Sequence, residues 1–254
     1  MTASDLHLQE LKYLLTLNRM HKNYLIYLTF LLLGATACTK APTTNESDEW
    51  ISLFDGKTLN GWRGYNGVDT EGIWVVEDEG ILHLVGRPKG SPHVNIITEA
   101  RYDDFDLRFD WKVEAGTNSG VMFHIGEGPK QPYLTGPEYQ VLDNLGFRTG
   151  KGEPVGPNEY SASHYAIEPA AQDVTKPIGE WNEGRIVVQG NHVEYWLNDV
   201  KTADYEMHSD KWNEQIANAK FSKWKDFATL GEGHIGLQDH GHRVWFRNLK
   251  IKEL

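Results

Sequence analysis

From Phe105 to Val113 every second residue is large and apolar: Phe105, Leu107, Phe109, Trp111 and Val113 are separated by Asp106, Arg108, Asp110 and Lys112. A strand sends successive side chains to opposite faces, so this nine-residue pattern builds a half-buried β-strand and does not suit a helix. Weaker copies recur down the chain. Val121, Phe123 and Ile125 alternate with Met122 and His124, and Ile235 and Leu237 with Gly236 and Gln238. Arg185–Gln189 and His192–Leu197 flank Gly190-Asn191, a two-residue hairpin connection. Val244–Ile251 reads as a last strand whose apolar phase slips near Arg247-Asn248, the mark of a bulge. Shorter strands are predicted at Trp74–Glu77, Ile81–Val85 and Asn95–Thr98, and a short helix only within Asp210–Phe227. The 25 glycines supply turns. Many short antiparallel strands predict an all-β fold, a β-sandwich of two antiparallel sheets spanning residues 49–254, with one sheet curving to present a concave polar face.

The chain before residue 49 has another character. Tyr24 to Ala37 is almost wholly apolar, follows Arg19, His21 and Lys22, and ends at Cys38, the sole cysteine. The run is short for a membrane span and right for a signal-peptide core. Ala35-Thr36-Ala37-Cys38 resembles a bacterial lipoprotein signal, in which the cysteine is acylated and becomes the first mature residue. Residues 1–37 are thus expected to be a cleaved leader, with Met20 an alternative start. Residues 38–48 would be a polar tether, and the protein would be lipid-anchored in the cell envelope. A lone cysteine makes no internal disulfide. The net charge of −11 argues against a nucleic-acid partner, because phosphate binding needs a positive surface. A neutral or weakly charged ligand fits better, and the charge suits equally well the simpler task of keeping an exported protein soluble.

Chemistry concentrates in two stretches. In Gly136-Pro137-Glu138-Tyr139-Gln140-Val141-Leu142-Asp143-Asn144, a strand would send Tyr139 and Val141 one way and Glu138 and Gln140 the other. Glu138 is a candidate general acid or base, Gln140 can hold sugar hydroxyls, and Asp143 would stand at the cleft rim. In Gly236-Leu237-Gln238-Asp239-His240-Gly241-His242, Gln238 and His240 share a phase. Asn118-Ser119-Gly120 precedes the strand that carries His124. A metal site from His240, His124 and a carboxylate is conceivable, but no spacing matches a metal motif, and no metal or cofactor is expected. A Gly-rich phosphate loop, a Gly-x-Ser-x-Gly elbow and a mature-domain cysteine nucleophile are all missing. Trp62, Trp74, Trp181 and Trp212 lie outside the clearest strands and could stack on sugar rings, although most tryptophans serve a core.

Leu53-Phe54-Asp55-Gly56-Lys57-Thr58-Leu59-Asn60-Gly61-Trp62, Asn118-Ser119-Gly120, the Gly136–Asp143 stretch, and Gly236–Gly241 ahead of Phe246-Arg247-Asn248-Leu249 occur in that order. Together they resemble the 3-keto-disaccharide hydrolase family over residues 49 to 254. The resemblance implies a concanavalin A-like jelly roll acting on 3-keto glycosides. The chain departs from the family at Ser161-Ala162-Ser163-His164-Tyr165, where many members have a Gly-Ala-Leu-Tyr-like segment; Tyr165 is kept. A ketone at C3 acidifies the hydrogen at C2, so the implied route is C2 proton abstraction, expulsion of the C1 substituent and hydration. On this reading Glu138 is the base and His240 the proton donor or oxyanion partner. Asn118, His124, Gln140, Asp143, Tyr165 and Gln238 contact the substrate. A separate sugar 3-oxidoreductase upstream would supply the ketone, because the chain has no dinucleotide fingerprint. Two other functions fit the same residues: a non-catalytic carbohydrate-binding module, and a lyase or hydratase of 3-keto glycosides.

Overall fold

The computed structural model describes residues 49–254 except Lys89. The expected leader, Cys38 and the tether lie outside the described residues. In chain order the strands are β1 (Ile51–Ser52), β2 (Trp62–Gly64), β3 (Trp74–Glu77), β4 (Ile81–Val85), β5 (Ile96–Thr98), β6 (Phe105–Val113), β7 (Asn118–Ile125), β8 (Glu138–Leu142), β9 (Asn182–Gln189), β10 (His192–Leu197), β11 (Val200–Glu206), β12 (His234–Leu237) and β13 (Arg243–Glu253). They form two antiparallel sheets. The larger runs β11-β10-β9-β6-β13-β4-β3, with β1 added to β13, and the smaller runs β2-β5-β12-β7-β8. One α-helix, α1 (Asp210–Asn218), lies between β11 and β12. Its N-terminus is capped by Ser209, whose hydroxyl accepts the Trp212 N–H at 3.2 Å. Among the described residues no helix is long and apolar enough to cross a membrane.

The alternating strand β6 lies inside the larger sheet, paired with β9 and β13. Its apolar set, Phe105 to Val113, is buried against Val121, Phe123, Tyr139, Val141 and Leu237 of the smaller sheet. Close approach is built in at Gly184, paired with Phe109. A Cβ there would overlap the Phe109 ring. The opening stretch is structural. Leu53, Phe54 and Trp62 are core, the Trp62 indole N–H donates to the Leu53 carbonyl at 2.6 Å, and Asp55 closes the turn onto the Lys57 and Thr58 amides. Trp74 is core as well, while Trp181 lies half-buried beneath the guanidinium of Arg247.

The bulge expected at Arg247-Asn248 is present: β13 slips one residue against β6 between Arg247 and Lys250, with Asn248 at φ 55°. The second half of β7 departs from simple alternation. His124 sits at φ 49°, and the register against β12 gains a residue between Met122 and Ile125. That bulge reverses the phase. Ile125 joins Met122, Ile97 and Tyr65 on the outer face, and His124 turns inward against Phe105 and Phe123. The hairpin after β10 uses Asn198 and Asp199 at φ 49° and 64°, a pair suited to a primed turn, and leads into β11, which the apolar pattern does not announce.

Substituting Gly184→Ala is expected to keep the fold and destabilise it by about 1–3 kcal/mol, the cost of overpacking a filled core. Denaturant melts of the variant and parent check this.

Candidate active site

Strand β8 is the edge of the smaller sheet, paired on one side with β7. Tyr139 and Val141 point into the core, so Glu138 and Gln140 take the other face. Opposite them on β7, Asn118, Gly120 and Met122 share that outer face. Gly120 makes room for the acid: a Cβ there would overlap Glu138 Oε1.

A cavity of about 260 Å³ opens over this edge. Its floor is Asn118, Glu138 and Gln238. One wall is Tyr165 with His164, and Tyr195 and Tyr205 of the larger sheet close its inner end. The segment from α1 onward adds Trp212, Lys220, Phe221, Trp224 and Phe227 to the lining, together with Tyr133. Phe221 stacks on Phe227 at 4.3 Å, and Trp224 meets the Tyr133 ring at 5.4 Å. Rings and amides around a few ionisable groups make a surface fitted to sugar, which has apolar C–H faces and a rim of hydroxyls.

Among the described residues Glu138 is the sole carboxylate lining this cavity. It is 8 % exposed. Burial raises its pKa to about 7, against the pull of the Lys220 charge and a hydrogen bond from the Gln238 side chain. Asn118 Oδ1, Gln238 Oε1 and His164 Nδ1 are buried with no hydrogen-bond partner among the described residues. Buried polar atoms are nearly always paired, so three such atoms around one cavity mark a place where a ligand supplies the partners. Gln140 lies beside the cavity with a buried, unpartnered Oε1 of its own, although it does not line the wall. A larger groove, about 680 Å³, runs over the outer face of the other sheet past Trp50 and Trp196. Two of the ions that line it are already matched: Arg185 chelates Asp106 with two bonds of 2.9 Å, and Asp110 takes Asn248 and Arg247.

His240 stands exposed at the cavity rim, between His242, His93 and the edge of Phe147. Loss of solvent on its inner side, with two imidazoles adjacent, pulls its pKa down to about 4. It is neutral at pH 7. The loop that carries it is held by Asp239, whose carboxylate accepts Arg87 Nε at 2.6 Å, the Val94 amide at 2.7 Å and the Gly241 amide at 2.8 Å.

Two expected contacts lie elsewhere. His124 faces the core through the β7 bulge and donates Nε2–H to the Asp103 carbonyl at 2.8 Å, so it reaches neither the cavity nor His240. The Asp143 carboxylate is occupied by the Gly116 and Gly146 amides at 2.8 and 2.9 Å and braces the turn after β8. Lys220, His164, Tyr133 and Trp224 were not legible as site residues, because they come from loops and from the turn after α1, where no periodicity assigns a face. Among the described residues one trio, His192, Glu194 and Asp204, brings possible metal-ligand atoms within 4.8 Å of one another. Lys201 already bridges its carboxylates at 3.0 and 2.5 Å.

A jelly-roll sandwich with a lone buried carboxylate facing a small amide- and ring-lined cavity defines a glycoside hydrolase-like, saccharide-active enzyme. The model of the 3-keto-alpha-glucoside-1,2-lyase-like domain matches residues 49–252. A 3-keto-disaccharide hydrolase of Bacteroides thetaiotaomicron is 36% identical over 236 residues, covering 82% of this chain and 80% of the relative. A crystal structure of a candidate glycosyl hydrolase from Parabacteroides distasonis superposes with a TM-score of 0.74 at 34% identity, covering 81% of this chain and 94% of that one. A second from the same organism gives 0.60 at 29% identity, covering 82% and 100%. The chain belongs to the family of 3-keto-alpha-glucoside-1,2-lyase-like domains.

Gly120→Ala is expected to leave the sheets paired, because the atom in the way is the end of a flexible side chain, and to swing the Glu138 carboxyl out of its pocket. The melting temperature should fall by only a few degrees, while carboxyl NMR no longer finds Glu138 titrating near 7.

Proposed function

We propose that this enzyme cleaves the glycosidic bond of 3-keto glycosides by elimination, with Glu138 as the base. One observation carries the reading: the cavity is lined by a single carboxylate. Ordinary glycosidases need two, about 5–10 Å apart, one as acid and one as nucleophile or base. A ketone at C3 removes that need. Glu138 takes the C2 proton, and the C–H electron pair passes into an enolate on the C3 oxygen. When the enolate collapses, the C3 carbonyl re-forms, C1 and C2 become doubly bonded, and the C1–O bond to the leaving group breaks. The leaving oxygen takes a proton. Water then adds, hydroxyl to C1 and hydrogen to C2, and the sum is hydrolysis.

A base works best with a pKa near the working pH, and burial places Glu138 at about 7. His240, neutral at the rim, serves as an N–H donor to the departing oxygen or to a hydroxyl. Asn118, Gln238 and Tyr165 hold the ring, and Gln140 supports them from beside the cavity. The cavity volume suits one ring and its near substituents, so a short saccharide fits better than a polysaccharide chain. A lipid anchor at Cys38, residence in the cell envelope and an upstream sugar 3-oxidoreductase complete the proposal. A second reading stops at the enone. The description of the matching family model as 1,2-lyase-like favours it, and product analysis by mass distinguishes the two.

Glu138→Gln is expected to lower turnover of a 3-keto glycoside by about 10²–10⁴ with most of the affinity kept, since the amide still binds hydroxyls but accepts no proton. In the parent, kcat/KM should rise with pH through about 7, because the active form of Glu138 is the ionised one. Steady-state kinetics across pH, with thermal melts as the folding control, check both. Turnover within a few-fold of the parent would remove Glu138 as the base.

A further inference from the structure

We infer that Lys220 is a catalytic residue: its ammonium holds the C3 oxygen of the substrate and takes up the negative charge that leaves Glu138. This rests on the elimination chemistry proposed above. Lys220 opens the 3₁₀ turn Lys220–Lys223 that follows α1, and among the described residues is the sole lysine or arginine on the cavity wall. It stands exposed at the mouth, its Nζ 4.0 Å from the centre of the Tyr165 ring. The lysine and Glu138 both line this cavity, near enough for each charge to act on the other, and the ammonium rests on the Tyr165 ring rather than on the carboxylate. A cation and a carboxylate that share a small cavity without touching leave room between them for a reacting group.

The charge balance gives this placement its meaning. Before reaction the negative charge is on Glu138. Transfer of the C2 proton neutralises that carboxyl and creates an equal charge on the C3 oxygen. A fixed ammonium in contact with the C3 oxygen and not with the carboxylate favours the second state over the first. Such preorganised stabilisation of developing charge is typically worth about 10²–10³ in rate for one donor. His240 is poorly suited to the task, since its imidazole is neutral at pH 7. Neighbouring Tyr165 gives Lys220 a cation–π platform that fixes the ammonium on the cavity side. Desolvation also lowers the Lys220 pKa, as expected of an ammonium partly withdrawn from water.

The test compares the parent, Lys220→Met and Lys220→Arg on a 3-keto glycoside in deuterated water. It follows turnover, C2 exchange and the pH profile. Methionine keeps the apolar packing on Tyr165 and removes the charge. Lys220→Met should lose about 10²-fold or more in kcat and in C2 exchange, with KM changed only a few-fold. Lys220→Arg should recover a large part of the loss. The acid limb of the remaining activity should move to higher pH in Lys220→Met, because the charge that lowers the Glu138 pKa is gone. The limb reports the charge of Lys220 acting on Glu138, and the loss of kcat and C2 exchange at pH values above that limb separates a catalytic lysine from one that only tunes the carboxyl. A parent that exchanges C2 while Lys220→Met stays within a few-fold of it overturns the role of Lys220 alone. A parent that cleaves without any C2 exchange overturns the elimination reading and this role together. Thermal melts confirm folding, and Lys220→Gln repeats the loss of charge should the methionine variant prove unstable.

Discussion

The ring of Tyr139 decides where Glu138 points. It is fully buried, edge-on to Phe109 at 5.2 Å and to Tyr195 at 5.2 Å, and its hydroxyl donates to the Trp196 carbonyl at 3.0 Å. These contacts join the edge strand of the smaller sheet to the middle of the larger one. A strand cannot turn one residue without turning its neighbours, so anchoring Tyr139 inward forces Glu138 outward onto the face that carries Asn118 and the space above Gly120. The packing of the sandwich and the placing of the base are one constraint.

The same contact accounts for the electrostatics. Glu138 is buried because the edge strand is overhung by the aromatic segment after α1, and its burial is not offset by an ion pair among the described residues. An unpaired buried carboxyl resists ionisation, which raises its pKa to about 7. Nearby Tyr165 titrates above its usual range for the same reason, with the Glu138 charge adding to the effect. The walls that make the acid a useful base also present rings and unpartnered amides to a sugar, so acidity and recognition come from one arrangement of side chains.

What the sequence disclosed follows from how far each residue obeys a period. The β6 alternation, the Gly190-Asn191 hairpin and the slip at Arg247-Asn248 are local facts of a strand and appear as read. Glu138, Gln238 and His240 sit on or just beyond strands, and they come together. His124 was assigned to the wrong face because Val121, Phe123 and Ile125 keep alternating in the sequence across the β7 bulge, so no slip of the apolar phase announces it; the positive φ of His124 and the register shift against β12 show it. Asp143 has the composition of a site residue and the work of a turn brace. Lys220, His164 and Trp224 reach the cavity from irregular chain, where position is set by tertiary packing rather than by spacing.

The measurement that tests the account most directly is a crystal structure of the Glu138→Gln variant with a 3-keto glycoside bound. The account predicts C2 of the sugar within about 3–3.5 Å of the amide at position 138, the distance of a near-attack geometry. The C3 oxygen should be directed toward Lys220, and the C1 substituent should extend toward the His240 rim. A sugar bound in the groove past Trp50 and Trp196, or bound over the edge strand with C2 turned away from position 138, would contradict it.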